Sequence, residues 1–375
     1  MLVPWIRGRT ARQAHVGVPE GTFEEEYARD GFSGGYAHLY RKHPPVGWTR
    51  IEGPLRPRAF DGARLDPVRT DDGDATRASL FENDDAKVGL AALDRPMPFF
   101  VRDADADALY FVHSGAGRLE TDFGPFDYEA GDYLLVPRGT VHRFAPTAAS
   151  RLLVVSTRAP LELPERGLIG QHALFDPAVV RVPTPDGTST CPPDARGQWQ
   201  LRIAHGGELT RVFYPFCPID TVGWKGTLAP LQINIRDIRP LTSERYHLPP
   251  PAHATFLTRG AGVVVCTFLP RPLENGDPEA QKVPFYHANV DYDEVLFYHA
   301  GDFFSRTGIA PGMLTLHPQG IHHGPQPGAR QRAASATRTE EVAVMIDTRL
   351  PFRRTAASER FEIADYWASW KGDMP

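Results

Sequence analysis

Hydrophobic residues in this chain cluster in short runs, and helical spacing is scarce. The runs are rich in Val, Ile, Leu, Phe and Tyr, residues that suit the pleated surface of a strand. They are Leu109 to Val112, Tyr133 to Val136, Leu152 to Ser156, Gly262 to Leu269 and Val342 to Ile346. Turn signals, such as the one at Pro318-Gln319-Gly320, separate them at intervals typical of sandwiches and barrels. The pattern therefore predicts an all-β fold, with a short C-terminal helix over Ala357 to Lys371.

An internal repeat divides the chain into two related halves. The segment DALYFVHSG, which begins at Asp107, resembles DEVLFYHAG, which begins at Asp293. Each is followed by a block of Gly, five residues, Pro, any residue, Gly, two residues and His. This block ends at His142 in the first half and at His323 in the second. Two copies in the same order predict two related β-barrels.

The repeated Gly-Pro-Gly-His block resembles the second conserved motif of the cupins. The resemblance implies two cupin domains, which are double-stranded β-helices of the jelly-roll type. We predict an N-terminal arm at 1–74, a first barrel at 75–160, a Pro-rich linker at 161–224, a second barrel at 225–350 and a C-terminal tail at 351–375.

Charge and cysteine usage narrow the classes of partner. The 375 residues include 41 Lys and Arg against 46 Asp and Glu, a net charge of -5 that gives no argument for binding nucleic acid or an anionic membrane. The longest apolar stretch, Ala261 to Pro270, is too short to span a bilayer, and no apolar signal segment is present. The odd, widely spaced Cys191, Cys217 and Cys266 predict incidental thiols in a reducing compartment. We therefore expect a soluble cytoplasmic protein.

The second half contains a complete set of metal-ligand residue types. Two His and one carboxylate can hold non-haem Fe(II) and leave positions open for a substrate and O2. The candidates are His287, Glu294 and His323. Seven residues of straight strand would separate the first two by about 23 Å, so the chain must turn between them. Residues suited to that turn are Asn289, Asp291 and Asp293. The alternative is a group of surface polar residues around a hairpin.

The first half serves as an internal comparison. By the repeat, Glu294 corresponds to Ala108 and His287 to Val101, so the first half keeps only His142. One histidine does not make a metal site. We therefore assign the metal to the second barrel and a structural role to the first, with His142 as a histidine at the barrel mouth.

Longer stretches resemble the homogentisate 1,2-dioxygenase family over nearly the whole chain. They are HVGVPEGTFEEEYARDGFSGGYAHLYRKHPPVGWTR, YHLPPPAHATFLTRGAG, PFYHANVDYDEVLFY and LHPQGIHHGPQPG. The resemblance implies an Fe(II)-dependent enzyme of tyrosine and phenylalanine catabolism that opens the ring of homogentisate with O2 to give maleylacetoacetate. It also implies a trimer or hexamer. Carried over by position, it makes His287, Glu294 and His323 the iron ligands.

The same resemblance suggests roles for other side chains. His247 resembles the active-site histidine near the substrate hydroxyl, where it would act as a general base. His317 resembles a histidine behind the metal or beside the substrate. Tyr286 and Arg259 are candidates for contact with the substrate carboxylate. Phe303 stands where family members place a tyrosine near the substrate ring.

Two departures from the family leave alternatives open. Better-known members have six residues from the first His to the Glu, whereas here there are seven, so Asp293 rivals Glu294 as the ligand. The repeat favours Glu294. Phe303 leaves open gentisate or plain hydroquinone as the substrate, or sugar isomerisation with another metal. A non-catalytic two-barrel sensor or regulator is the alternative of another class, but the loss of ligands from only one barrel argues against it.

Overall fold

The computed structural model describes residues 5–66, 77–185, 197–283, 285–303 and 305–371, and strands dominate its regular structure, which confirms the all-β class. The first strands are β1 (Phe23–Ala28), β2 (Tyr36–Arg41), β3 (Arg58–Asp61), β4 (Ala78–Glu82), β5 (Ala86–Leu93), β6 (Phe100–Asp103), β7 (Asp107–Thr121), β8 (Gly124–Glu129), β9 (Asp132–Val136), β10 (His142–Thr157) and β11 (Leu161–Glu162). The later strands are β12 (Trp199–His205), β13 (Glu208–Tyr214), β14 (Leu231–Asn234), β15 (Ala254–Thr258), β16 (Val263–Phe268), β17 (Tyr286–His287), β18 (Asp293–Ala300), β19 (Met313–His317), β20 (Val342–Thr348), β21 (Arg353–Arg354) and β22 (Glu362–Ile363).

The helices are short and lie between strands or in the tail. The α-helices are α1 (Ala329–Ala333) and α2 (Ala356–Glu359). Turns of 3-10 helix lie at Gly62–Arg64, Gly167–Ile169, Pro177–Val179, Ile235–Asp237, Pro250–His253 and Tyr366–Trp370. The predicted C-terminal helix therefore consists of α2 and the last 3-10 turn. Across the described ranges, no helix has both the length and the apolar character that crossing a membrane requires.

Two large sheets correspond to the two predicted barrels. The first has the strand order β13-β12-β6-β10-β5-β4-β21, and β7 joins it through β10 and also pairs with β8 and β9. The second has the order β11-β15-β16-β20-β18-β19-β3-β22. All five hydrophobic runs lie in or over strands, namely β7, β9, β10, β16 and β20. The alternation of short apolar runs and turns was therefore a reliable guide to the strands.

Strands from outside each predicted barrel complete the sheets. β3 of the N-terminal arm pairs with β19, where Phe60 lies opposite Leu314. β14 lies within the range 225–350 but pairs with β9 of the first sheet, and β21 of the tail pairs with β4. The predicted boundary between 74 and 75 lies outside the described residues. The arm and the tail are thus integral parts of the two sheets.

One hydrophobic core runs from the first barrel into the second. It contains the repeat-related pair Phe111 and Phe297, whose ring centroids are 6.3 Å apart. Beside them, the repeat-related His113 and His299 face each other with their Nδ1 atoms 3.0 Å apart. Burial lowers the pKa of each of these histidines to about 4. The barrels therefore pack through equivalent faces, with a neutral histidine pair at the contact.

The N-terminal arm packs against the strand that carries His287. β1 pairs in parallel with β17, which places Glu25 opposite Tyr286 and Glu26 opposite His287, and β2 covers the other edge of β1. Arg29 then binds Asp291 through Nε at 2.9 Å in the turn after β17. The arm thus fixes the segment on which one candidate ligand lies.

The cysteines differ from the sequence expectation. Cys217 is disulfide-bonded, so the prediction of an incidental thiol is wrong for this residue. Cys266 is a buried free thiol, and Cys191 lies outside the described residues. Cysteine usage therefore does not support a reducing compartment.

Candidate metal centre and its cavity

His287, Glu294 and His323 meet at one end of the second barrel. His287 ends β17, Glu294 lies at the start of β18, and the backbone of His323 pairs with that of His287 through N–O distances of 2.8 and 3.1 Å. The chain turns between β17 and β18, where Gly320 donates its N–H to the Asn289 carbonyl at 3.0 Å. One ligand atom from each of the three side chains lies within 4.8 Å of the others.

The two histidines direct free nitrogens toward the site. His287 donates from Nδ1 to the Phe285 carbonyl at 3.2 Å, so its proton lies on Nδ1 and the lone pair lies on Nε2. Among the described residues, neither His287 Nε2 nor either ring nitrogen of His323 has a hydrogen-bond partner, although these atoms are buried. Buried polar atoms without partners are rare and require an explanation. A metal ion bound by one nitrogen of each imidazole and by one carboxylate accounts for His287 Nε2 and for one of the two His323 nitrogens.

The pKa values of these groups are shifted in directions that favour binding of a cation. Burial lowers the pKa of His287 to about 3 and that of His323 to about 4, so both rings are neutral near pH 7. Burial acts to raise the pKa of Glu294, but His323 and a hydrogen bond from His317 hold it well below its usual value. Burial and the neighbouring Glu294 raise the pKa of Asp347 well above its usual value. The site thus offers two neutral imidazoles and one carboxylate, the protonation states that metal binding needs.

The adjacent acidic residues Asp293 and Glu294 have different surroundings. Asp293 accepts backbone N–H groups from Gln319 and Phe352, both at 2.8 Å, and does not join the cluster. Consecutive side chains of a strand point to opposite faces, so only one of the two can reach the histidines. The structure brings Glu294 to them.

A cavity of about 100 Å³ opens beside the three candidate ligands. His287, Glu294 and His323 all contribute to its wall, and so does His247, the predicted active-site histidine. Its apolar wall is formed mainly by Phe32, Pro250, Phe268, Leu269, Phe285, Leu296 and Met345. Its ionisable groups, besides the three ligands and His247, are His253, Arg271, Lys282, Tyr298, Arg306 and Glu341. A flat aromatic molecule with polar substituents suits such a lining.

Four side chains for which a contact with the substrate was predicted or left open are not part of this wall. Tyr286 packs against Phe23, with ring centroids 6.3 Å apart, because it alternates with His287 along β17. Phe303 packs against Tyr298 behind the wall, with ring centroids 4.9 Å apart. The side chain of Arg259 is 88% exposed. His317 is fully buried behind Glu294, to which its Nδ1 donates at 2.6 Å. The structure thus places His317 behind the candidate ligands, one of its two predicted positions, and the substrate contacts of Tyr286, Phe303 and Arg259 stay predictions.

The sequence analysis did not identify several residues of the site. Arg271, Arg306 and Glu341 come from irregular segments or strand ends, and Phe32 comes from the N-terminal arm. No spacing rule links such segments to the repeated blocks. For Tyr286 the sequence did contain a signal. Neighbouring side chains of a strand point to opposite faces, so a residue next to His287 is expected to point away from the site.

A second His/Glu/His group lies in the arm, formed by His15, Glu24 and His38. His15 is bound on both sides, through Nδ1 to Glu24 at 2.8 Å and through Nε2 to Glu26 at 3.3 Å. Burial opposes protonation, but these carboxylates raise the pKa of His15 to about 9. A histidine with a carboxylate at each nitrogen is a protonated imidazolium that forms two ion pairs. The arrangement of this group therefore does not require a metal ion.

The first barrel retains the geometry of the site without its ligands. His142 pairs with Val101 in the same way that His323 pairs with His287. The Nε2 atom of His142 lies 3.0 Å from the Tyr110 hydroxyl, and its Nδ1 lies 3.2 Å from the Thr140 carbonyl. These contacts satisfy both ring nitrogens. The two barrels thus share this backbone pairing, and among the described residues of the barrels the group of possible metal ligands lies in the second.

Fold and site together define an all-β protein with two related sheets and a candidate metal centre in the second. The family model described as "Homogentisate 1,2-dioxygenase N-terminal" matches residues 90–235. Over 367 residues the chain is 30% identical to "Putative dioxygenase SSO1533" of Saccharolobus solfataricus, and the match covers 92% of both chains. The chain belongs to the homogentisate 1,2-dioxygenase family.

Other similar proteins match over shorter ranges. The chain is 29% identical over 285 residues to the homogentisate 1,2-dioxygenase of Bradyrhizobium diazoefficiens and 30% identical over 284 residues to that of Nitrobacter hamburgensis. Each match covers 72% of this chain and 62% of the relative, so the chain spans less than two thirds of their length. A cupin 2 conserved barrel domain protein from Leptotrichia buccalis aligns with a TM-score of 0.37 and 9% identity, over 77% of this chain and 94% of that one.

Proposed function

We propose that the chain is an Fe(II)-dependent dioxygenase that opens the ring of homogentisate with O2 to give maleylacetoacetate, in tyrosine and phenylalanine catabolism. The observation that carries the proposal is the convergence of His287, Glu294 and His323 in the wall of one cavity, with buried histidine nitrogens that have no partner among the described residues. The family of the chain supports the reaction class.

The donor set suits Fe(II) because two imidazoles and one carboxylate leave several coordination positions free. When bound there, Fe(II) supplies open positions for a ring oxygen and for O2, and it allows electrons to pass between them. The protein residues exclude water, orient the ring and bind the substituents. The aromatic walls at Phe32 and Phe285 suit a planar ring.

The substrate carboxylate requires a cationic partner in the cavity, and Arg306 suits this role. Arg271 is already paired with Glu274 at 2.8 Å, and Lys282 donates to the Ala334 and Ala336 carbonyls at 2.9 and 3.0 Å. Arg306 donates through Nη1 to the Gly324 carbonyl at 2.8 Å, and its Nε has no partner among the described residues. An Arg near the metal ligands would hold the acetate group while the ring lies over the site.

A different hydroquinone, such as gentisate, is a second candidate. The observation that favours it is that Phe303 stands where the family has a tyrosine near the substrate ring and packs against Tyr298 outside the cavity wall. A non-catalytic sensor would bind such a ligand without consuming O2. The predicted trimer or hexamer and the cytoplasmic location stay predictions.

Oxygen uptake separates these possibilities. Protein loaded anaerobically with Fe(II) is supplied with homogentisate, gentisate, hydroquinone or catechol, one at a time. Uptake of O2 with homogentisate alone supports the proposal. Uptake with another diol alone would make that diol the substrate in place of homogentisate. Protein that holds iron but consumes no O2 with any of the four would overturn the dioxygenase assignment.

A further inference from the structure

We propose that Arg271 and Glu274 are positioning residues that hold His247 in its Nε2–H form, so that His247 donates a hydrogen bond to an anionic or carbonyl oxygen of the substrate and does not act as a general base. The phenolic nature of this ligand rests on the proposed function. The protonation site of His247 follows from the geometry alone.

The contact between Arg271 and His247 determines the location of the proton. Nη2 of Arg271 lies 2.7 Å from Nδ1 of His247. A guanidinium group has only donors and stays charged in proteins, so Nδ1 must be the acceptor. A neutral imidazole has one N–H, which therefore lies on Nε2.

Glu274 keeps Arg271 in this position. Nη1 of Arg271 donates to Oε1 of Glu274 at 2.8 Å, and both side chains are almost completely buried. Oε1 also lies 3.5 Å from His247 Nδ1, which is longer than an effective hydrogen bond. The backbone of Arg271 is anchored at both ends to Thr339, through N–O distances of 3.2 and 2.8 Å. The acidic partner balances the buried charge of Arg271, and the anchors fix its direction.

This arrangement makes His247 a poor base at Nδ1. A proton there would face the N–H groups of Arg271 and bring two cations together. Burial lowers the pKa of His247, and Arg271 adds to this effect, while Glu274 opposes it. The side chain of His247 lies in the cavity wall and is 17% exposed, and its Nε2 has no partner among the described residues. The available group is therefore an Nε2–H donor.

A donor at this position favours a particular form of the substrate. A fixed N–H group directed at an oxygen stabilises negative charge on that oxygen without reorganisation. We therefore infer that the cavity selects a ring oxygen that is already deprotonated, or that develops negative charge during the reaction, and that the hydroxyl proton leaves to a group other than His247.

Nitrogen NMR of the metal-free full chain, labelled with 15N at histidine, tests the tautomer without any turnover. The spectrum of His247→Gln identifies the His247 signals by their loss. We expect the Nε2–H pattern near pH 7 in the wild-type protein. We expect a mixed or Nδ1–H pattern in the double variant Arg271→Met/Glu274→Met, which removes both charges together, and an unchanged pattern in the exposed control Arg353→Met. An Nδ1–H or doubly protonated His247 in the wild-type protein would overturn the proposal.

Substitutions of His247 separate a donor from a base. The amide nitrogen of Gln can replace Nε2–H, but a Gln side chain cannot act as a base. We expect kcat/KM for homogentisate to fall by about tenfold or less in His247→Gln and by about 100-fold or more in His247→Ala. Equal losses in both folded variants would indicate a base and contradict the proposal. If the wild-type protein turns over no hydroquinone, the proposed function fails, whereas the NMR result still decides the tautomer.

Discussion

Nδ1 of His317 lies 2.6 Å from Oε1 of Glu294, and the two residues are directly paired between β18 and β19. Because His317 is fully buried and stacks on His323 with ring centroids 4.5 Å apart, it contacts two of the three candidate ligands. Residues behind a metal ligand fix its orientation and basicity. His317 thus lies where it can orient Glu294.

Replacing His317 by Phe should weaken metal binding while the barrel stays folded. Loss of the partner that orients a ligand typically lowers metal affinity by about 10- to 100-fold. Titration of the metal-free protein with Fe(II) or Co(II) measures the effect. The variant His142→Phe, which changes a buried histidine of the first barrel, is the matched control and should leave the affinity unchanged. Equal affinity in His317→Phe and the wild-type protein would contradict the assigned role.

Substitution of the neighbouring acidic residues should give opposite results. Glu294→Gln should lose bound iron and turnover, because the carboxylate is the only anionic donor of the set. Asp293→Asn should keep iron but lower the free energy of unfolding by about 1–3 kcal/mol, since it weakens the contacts with two backbone N–H groups. Metal analysis and urea unfolding of both variants test this. Iron loss in Asp293→Asn with full iron in Glu294→Gln would transfer the ligand role to Asp293.

Arg306→Met should change substrate selectivity. Hydrogen bonds to charged groups are worth about 1.5–3 kcal/mol, which corresponds to about a 10- to 150-fold change in kcat/KM. We expect that loss with homogentisate, whereas kcat/KM for hydroquinone, which has no carboxylate, should change much less. Steady-state kinetics with both substrates gives the ratio, and Arg353→Met is the control. A parallel loss with both substrates would show that Arg306 only supports the fold.

The free energy of unfolding should fall on acidification because of the histidine pair at the contact between the barrels. His113 and His299 have pKa values near 4 in the folded chain, against the usual 6.5. The unfolded chain therefore binds more protons between pH 6.5 and 4, so the free energy of unfolding decreases as the pH falls through that window. Other buried histidines act in the same direction, so the test compares the wild-type protein with the double variant His113→Asn/His299→Asn. Urea unfolding at pH 7 and pH 5 should show a smaller loss of stability in the variant, and identical losses would contradict this account.

The repeat allowed much of the site to be predicted from the sequence. It aligned Ala108 with Glu294, and the structure places Ala108 opposite Ser156 just as Glu294 lies opposite Asp347. Strand register preserves sequence spacing, so a motif that recurs in register also recurs in space. The grouping of His287, Glu294 and His323 followed from that relation together with the family resemblance.

The remaining parts of the site depend on contacts between distant segments. Arg271 lies beyond the end of β16, and Arg306 lies in the loop between β18 and β19, so neither has a periodic pattern that indicates its direction. Phe32 reaches the cavity because β1 pairs with β17, a parallel contact between segments far apart in sequence. Tertiary packing alone decides such neighbours, and residue types and spacing do not encode them locally.

The most direct test of the account is the stoichiometry of oxygen consumption with homogentisate. Protein with one bound Fe(II) per chain should consume one molecule of O2 for each homogentisate converted, with maleylacetoacetate as the product, and Glu294→Gln should consume none. If the iron-loaded wild-type protein binds homogentisate but consumes no O2, or if Glu294→Gln turns over at the wild-type rate, then His287, Glu294 and His323 do not form the centre of a ring-cleaving dioxygenase.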